Sequence, residues 1–123
     1  MEQTEAAAYV VVQPGTDQEQ ILPVRDRLCV GREWRGIDDE HRLIIDDPAV
    51  SRQHLEILLE EEHDRASVVD HSTNGTRLNG LRIGRGVASP LKPGDRLTVG
   101  PVELEFRSDR FRANPLAGGG ATI

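Results

Sequence analysis

With 123 residues, 37% of them hydrophobic and drawn mainly from Val, Leu and Ile, the chain has the size and apolar content of one domain with a real core. A net charge of -6 excludes bulk electrostatic attachment to DNA or RNA, which needs a basic face to displace counterions. A local arginine pocket is still compatible with that charge, since it acts over roughly one Debye length, ~8–10 Å.

The residues after Met1 lack the positive region and apolar run of a secretory signal, and no stretch approaches the ~20 apolar residues of a membrane span. A single cysteine, Cys29, permits no internal disulfide, and its apolar neighbours mark it as a small core residue. The expectation is a soluble protein in a reducing, cytoplasmic setting, without membrane insertion.

Two-residue alternation and turn punctuation recur along the chain, while helical periodicity is absent. Tyr9–Val12 is a β-rich run stopped by Pro14-Gly15. Gln20–Val24 follows, and Pro23 within it points to an edge position or a strand end. Arg27–Val30 runs into Gly31; Arg42–Ile45 stops at Asp46-Asp47-Pro48. Leu55, Ile57 and Leu59 share one face of the next run, and Ala66–Val69 follows a charged tip at 60–64. Pro93-Gly94-Asp95 introduces Arg96–Val99, and Gly100-Pro101 turns the chain into Val102–Phe106, where apolar residues alternate with acids. Short strands and turns at this spacing predict an all-β, two-sheet sandwich over residues 8–107. Residues 1–7 read as a flexible N-terminus. Residues 108–123, with their glycine run, read as a linker or tail, as if cut from a longer protein.

The chemistry concentrates between Gly31 and Gly80. Gly31-Arg32 ends a strand, Ser51-Arg52-Gln53-His54 precedes another, and Ser72-Thr73-Asn74-Gly75-Thr76 forms a polar loop. Guanidinium forks, small hydroxyls, an amide and glycine-freed backbone N–H groups are what an oxyanion needs. Asn74-Gly75 and Asn79-Gly80 both carry a hairpin signal, but the three residues between them leave almost no strand, so at least one should be a structured loop. Ser51, His54 and Asp70 form a poor hydrolase triad: there is no nucleophile elbow, and residues three apart on an extended strand diverge. A structural histidine bonded to a loop carbonyl fits His54 better. The acids at 38–40 and 46–47 lack the spacing of a calcium loop and read as solvated. No metal, cofactor or catalytic residue is expected.

Together, Gly31-Arg32, Ser51-x-x-His54, Asn74-Gly75 and the later Pro93–Gly100 segment resemble the signature of the forkhead-associated (FHA) domain, from about Val10 to Arg107. The resemblance implies a β-sandwich that binds phosphothreonine peptides through loops at one end. It implies that Arg32 is the main phosphate cation and that Ser51 donates its hydroxyl and backbone N–H. Arg52 would add a second cation or a peptide contact, Thr73 would touch the phosphate, and Asn74 would hold the peptide backbone. Gly31, His54 and Gly75 would be architectural.

The loop 33–41 is longer than the family usually has, which leaves Arg35 or Arg42 as peptide contacts, or Asp38-Asp39-Glu40 as a repulsive rim. Ala49, two residues before Ser51, offers no cation and favours an aliphatic third residue after the phosphothreonine. Arg77, from the opposite loop, is the alternative that would favour an acid. The implied function is a non-catalytic module recognising phosphothreonine on a partner or on its own parent chain, downstream of a Ser/Thr kinase. The competing reading is a structural or oligomerisation sandwich with a vestigial phosphate site.

Overall fold

A computed structural model describes residues 6–60, 62 and 64–110. The alternating runs become strands β1 (Ala8–Val12), β2 (Gln20–Val24), β3 (Arg27–Gly31), β4 (Arg42–Ile44), β5 (Leu55–Glu60) and β6 (Arg65–Asp70). Strands β7 (Arg77–Leu78), β8 (Leu81–Arg82), β9 (Ala88–Leu91), β10 (Arg96–Val99) and β11 (Val102–Arg107) complete the set. One sheet has the order β2-β1-β11-β10-β7-β8 and the other β4-β3-β5-β6-β9. The expected all-β sandwich is what forms. Pro23 lies on β2, an edge strand, the place in a sheet that tolerates a missing N–H. Most of the expected flexible N-terminus and tail lie outside the described residues.

The core fills the space between the sheets. Val10, Val24, Leu97, Leu104 and Phe106 come from one side, and Leu28, Val30, Leu55, Ile57 and Val68 from the other, all nearly or fully buried. Cys29 corrects the sequence expectation. It is buried, but its neighbours Leu28 and Val30 occupy the core, while its thiol faces the Glu56 carboxylate on the outer side of the sheet. Burial pushes the thiol up from its ordinary pKa, with the Glu56 charge adding to the effect and Arg27 opposing it.

β3 and β4 pair in parallel, with Cys29 opposite Arg42. No crossover helix joins them; residues 32–41 make the connection through a 3-10 turn at Asp39–His41. Trp34 pins this long loop. Its ring is buried and its Nε1 donates to the Val30 carbonyl at 3.0 Å. Arg42 donates to the Trp34 carbonyl at 2.5 Å and to the Asp39 carboxylate at 2.6 Å. Asp38 lies 3.5 Å from His41.

Of the two Asn-Gly pairs, Asn79-Gly80 is the hairpin. Both residues have positive φ, 52° and 86°, as a two-residue turn twisted to match β7 and β8 requires. The Asn79 side chain ties the turn to β10 by donating to Asp95 and accepting from the Arg96 N–H. Asn74-Gly75 is accordingly the structured loop.

Candidate functional site

Three segments meet at one end of the sandwich: Gly31-Arg32 at the end of β3, residues 46–54 before β5, and residues 71–76 after β6. Backbone bonds join the first two. Arg32 N–H donates to Ser51 O at 2.8 Å, Glu33 N–H to Arg52 O at 2.9 Å, and His54 N–H to Val30 O at 2.9 Å. The approach is so close that a Cβ on Gly31 would stand 2.1 Å from the Arg52 carbonyl oxygen. Only glycine fits there. Gly31→Ala is expected to force the two loops apart and cost about 1–3 kcal/mol of stability, the usual range for overpacking. A thermal melt superimposable on wild type would contradict this.

His54 joins the second loop to the third. Its ring is fully buried, Nδ1 accepts from the Ser51 N–H at 3.0 Å, and Nε2 lies 3.1 Å from the Gly75 carbonyl. An acceptor at Nδ1 and a carbonyl at the other nitrogen fix the neutral Nε2–H tautomer. Burial is the main reason its pKa lies below the ordinary value, outweighing the Gly75 bond and the Asp70 charge, which act the other way. The same geometry corrects one expectation for Ser51: its backbone N–H is taken by His54. Its hydroxyl oxygen accepts from the Thr73 N–H at 3.0 Å, and the hydroxyl hydrogen remains as a donor.

The third loop is built on a residue whose part in loop construction the sequence reading missed. Asp70 is buried, and its Oδ1 accepts from the Ser72 N–H at 3.1 Å, the Ser72 hydroxyl at 2.6 Å and the Thr76 hydroxyl at 2.7 Å. Ser72 Oγ in turn accepts from the Gly75 N–H at 2.7 Å. The signal was present as Asp at a strand end with hydroxyl residues two and six positions on, the pattern of a side chain that organises its own turn. These bonds also dispose of the triad. Asp70 is turned to Ser72 and Thr76, and His54 meets the Ser51 backbone rather than its hydroxyl.

Around this frame the polar side chains emerge. Arg32 is exposed, and its Nε donates to the Val50 carbonyl at 3.0 Å, which holds the guanidinium beside Ser51 while its terminal nitrogens make no ion pair among the described residues. Thr73 is exposed next to Ser51. Asn74 Nδ2 donates to the Ala49 carbonyl at 3.1 Å, bridging the second and third loops. Arg52 stands apart from this group, with its Nε 3.8 Å from Glu33, a carboxylate that Arg35 also engages. Arg35, Arg52, Glu33 and Gln53 line a cleft of about 480 Å³ on that flank. Arg42 is held by Trp34 and Asp39, and Asp47 accepts from the Ala49 N–H at 2.8 Å. Ala49 and Arg77 lie on the opposite flank, in a cleft of about 170 Å³ next to Asn74.

The FHA domain model matches residues 28–100, more than half of the chain and the whole of this loop cluster. The chain belongs to the FHA domain family. This FHA domain is 43% identical over 54 residues to Transcription factor 19 of Sus scrofa, and 44% identical over 50 residues to the E3 ubiquitin-protein ligase CHFR of Xenopus laevis. It aligns with only 16% and 8% of the lengths of those proteins. Among solved structures, it resembles the MEK1 FHA domain in complex with a phosphothreonine peptide of HOP1. That match has a TM-score of 0.68 and 28% identity, and covers 85% of this chain and 98% of the other. Among the described residues, no helix is long and apolar enough to cross a membrane.

Proposed function

We propose that this FHA domain is a non-catalytic module that binds phosphothreonine on a partner or on its own parent chain, within Ser/Thr kinase signalling. The observation that carries the reading is the Arg32 side chain. Its Nε is anchored to the Val50 carbonyl, and its terminal nitrogens make no ion pair or hydrogen bond among the described residues, beside the Ser51 hydroxyl and Thr73. A phosphothreonine carries nearly two negative charges at pH 7 and three acceptor oxygens, so it calls for several charge-assisted bonds at once. Arg32 supplies the planar cation and Ser51 the hydroxyl donor. Thr73 offers a hydroxyl that makes no hydrogen bond among the described residues. Asn74 keeps one amide hydrogen and its Oδ1 for the peptide backbone after bonding Ala49. Arg52 adds a second positive charge at longer range, tempered by Glu33.

Preorganisation supports the same reading. The two bonds of His54 and the three accepted by Asp70 fix the loops before any ligand arrives, so little ordering entropy opposes binding. The MEK1 FHA domain, in complex with its phosphothreonine peptide, provides a fold-level parallel. The test is calorimetric titration with a degenerate phosphothreonine peptide library, beside unphosphorylated and phosphoserine controls. Saturable binding confined to the phosphothreonine set is expected. Absence of binding to every phosphopeptide would overturn the proposal in favour of a purely structural sandwich.

A further inference from the structure

Backbone pairing decides which residue stands beside Arg52. The Glu33 N–H donates to the Arg52 carbonyl at 2.9 Å, one step along from the Arg32–Ser51 bond of 2.8 Å. The close approach at Gly31 holds the two segments together in that register. Whatever residue follows Arg32 therefore sits next to Arg52. Here it is an acid.

The Glu33 carboxylate is shared between two cations. Its Oε2 contacts the Arg35 Nε, and its Oε1 lies 3.8 Å from the Arg52 Nε, an ion pair too long to be a hydrogen bond. The side chains of Arg35 and Arg52 are 88% and 74% exposed, and exposed pairs of this kind hold weakly. Glu33 makes no ion pair with Arg32 among the described residues. The first cation of the site is thus left ready, and only the second is restrained.

A phosphate bound at Arg32 and Ser51 changes that balance. It carries nearly twice the charge of a carboxylate and presents three acceptor oxygens. Arg52 follows Ser51 directly in the chain, so its long side chain starts next to the hydroxyl that meets the phosphate. Arg35 contacts Glu33 more closely than Arg52 does, so release of Arg52 leaves the carboxylate compensated. We propose that Glu33 is a built-in competitor for the phosphate, holding Arg52 in the free domain and yielding it to the phosphothreonine on binding. The inference rests on the phosphothreonine reading and adds a residue that lowers the affinity of the site. Glu33 is a positioning residue, acting through Arg52 and not by touching the peptide. The nearby acids Asp38 and Asp39 play no such part, because His41 and Arg42 hold them.

The experiment takes the tightest-binding member of the degenerate phosphothreonine library and titrates it calorimetrically into four proteins. These are wild type, Glu33→Gln, Arg52→Gln and the double variant, each shown to be folded by thermal melting. Glu33→Gln is expected to bind roughly two- to fivefold tighter than wild type, the range that removal of one exposed competing ion pair allows. That gain should shrink as salt is raised. Arg52→Gln should bind roughly three- to tenfold more weakly, a charge-assisted contact reduced by the pair it gives up. In the Arg52→Gln background, Glu33→Gln should leave affinity nearly unchanged, because the competitor then has nothing to hold. An equal gain in both backgrounds would make Glu33 a source of general repulsion and overturn the inference alone. Wild-type affinity in Glu33→Gln or in Arg52→Gln would overturn it too. Failure of the whole library to bind wild type overturns the underlying reading and the inference with it.

Discussion

Arg32→Ala is expected to weaken phosphothreonine-peptide binding by roughly ten- to a hundredfold. A charge-assisted hydrogen bond contributes about 1.5–3 kcal/mol, and that range converts to this loss of affinity. The fold should survive, because the side chain is exposed and its one bond among the described residues is from Nε to the Val50 carbonyl. That bond shapes the expected result for Arg32→Lys as well. An ammonium restores the charge, but it cannot hold Val50 and present two parallel donors together, so rescue should be partial. Calorimetry on both variants, with melting curves as the fold control, checks the prediction. Wild-type affinity in Arg32→Ala would remove Arg32 from the site.

The alternation of Val102, Leu104 and Phe106, and of Leu55 and Ile57, made the sandwich legible from sequence, because a sheet with one buried face writes a two-residue period into its strands. Strands β7, β8 and β9 did not announce themselves. Two of them have two residues each, too few to show a period, and β9 carries Pro90 on a sheet edge. The conflict between the two Asn-Gly pairs was visible as a shortage of chain between them, but which pair would be the hairpin depended on Asn79 finding Asp95 and Arg96 across the sheet.

At the site, the residue types pointed to an oxyanion before any geometry was known. What could not be read was how each group is divided between ligand and scaffold. The Ser51 N–H goes to a histidine three residues on, a contact that exists because the chain turns sharply between them. Arg42, one of the rim candidates, is drawn to the carbonyl of Trp34 by a loop path that local sequence does not encode. Cys29 shows the same limit: apolar neighbours signalled burial correctly, but in a strand the neighbours point to the opposite face.

His54→Ala is expected to produce the largest loss of stability, about 2–5 kcal/mol, or on the order of 10 °C or more in Tm. The imidazole is fully buried, so its removal leaves a void and deprives the Ser51 N–H and the Gly75 carbonyl of their partner. Peptide binding should weaken as a consequence, since both loops that carry the phosphate donors lose their tie. Collapse of binding with an unchanged Tm would instead make His54 a direct ligand contact.

The same ring makes stability pH-dependent. Its pKa in the folded protein is lowered from 6.5, chiefly by burial, against the opposing pull of the Gly75 carbonyl and the Asp70 charge; protonating Nδ1 would also eliminate the acceptor that the Ser51 N–H uses. Below about pH 6.5 the unfolded chain therefore takes up a proton that the folded protein refuses. The contribution of His54 is fully present above that pH and is lost as pH falls from there toward the lowered folded value. Urea unfolding of the peptide-free domain between about pH 8 and pH 5 should show this slope; leaving the peptide out avoids the phosphate's own titration near pH 6. His54→Gln, which cannot titrate, should be less stable at pH 8 and should lack the His54 part of the slope. A wild-type slope equal to that of His54→Gln would mean that the neutral ring is not what holds these loops together.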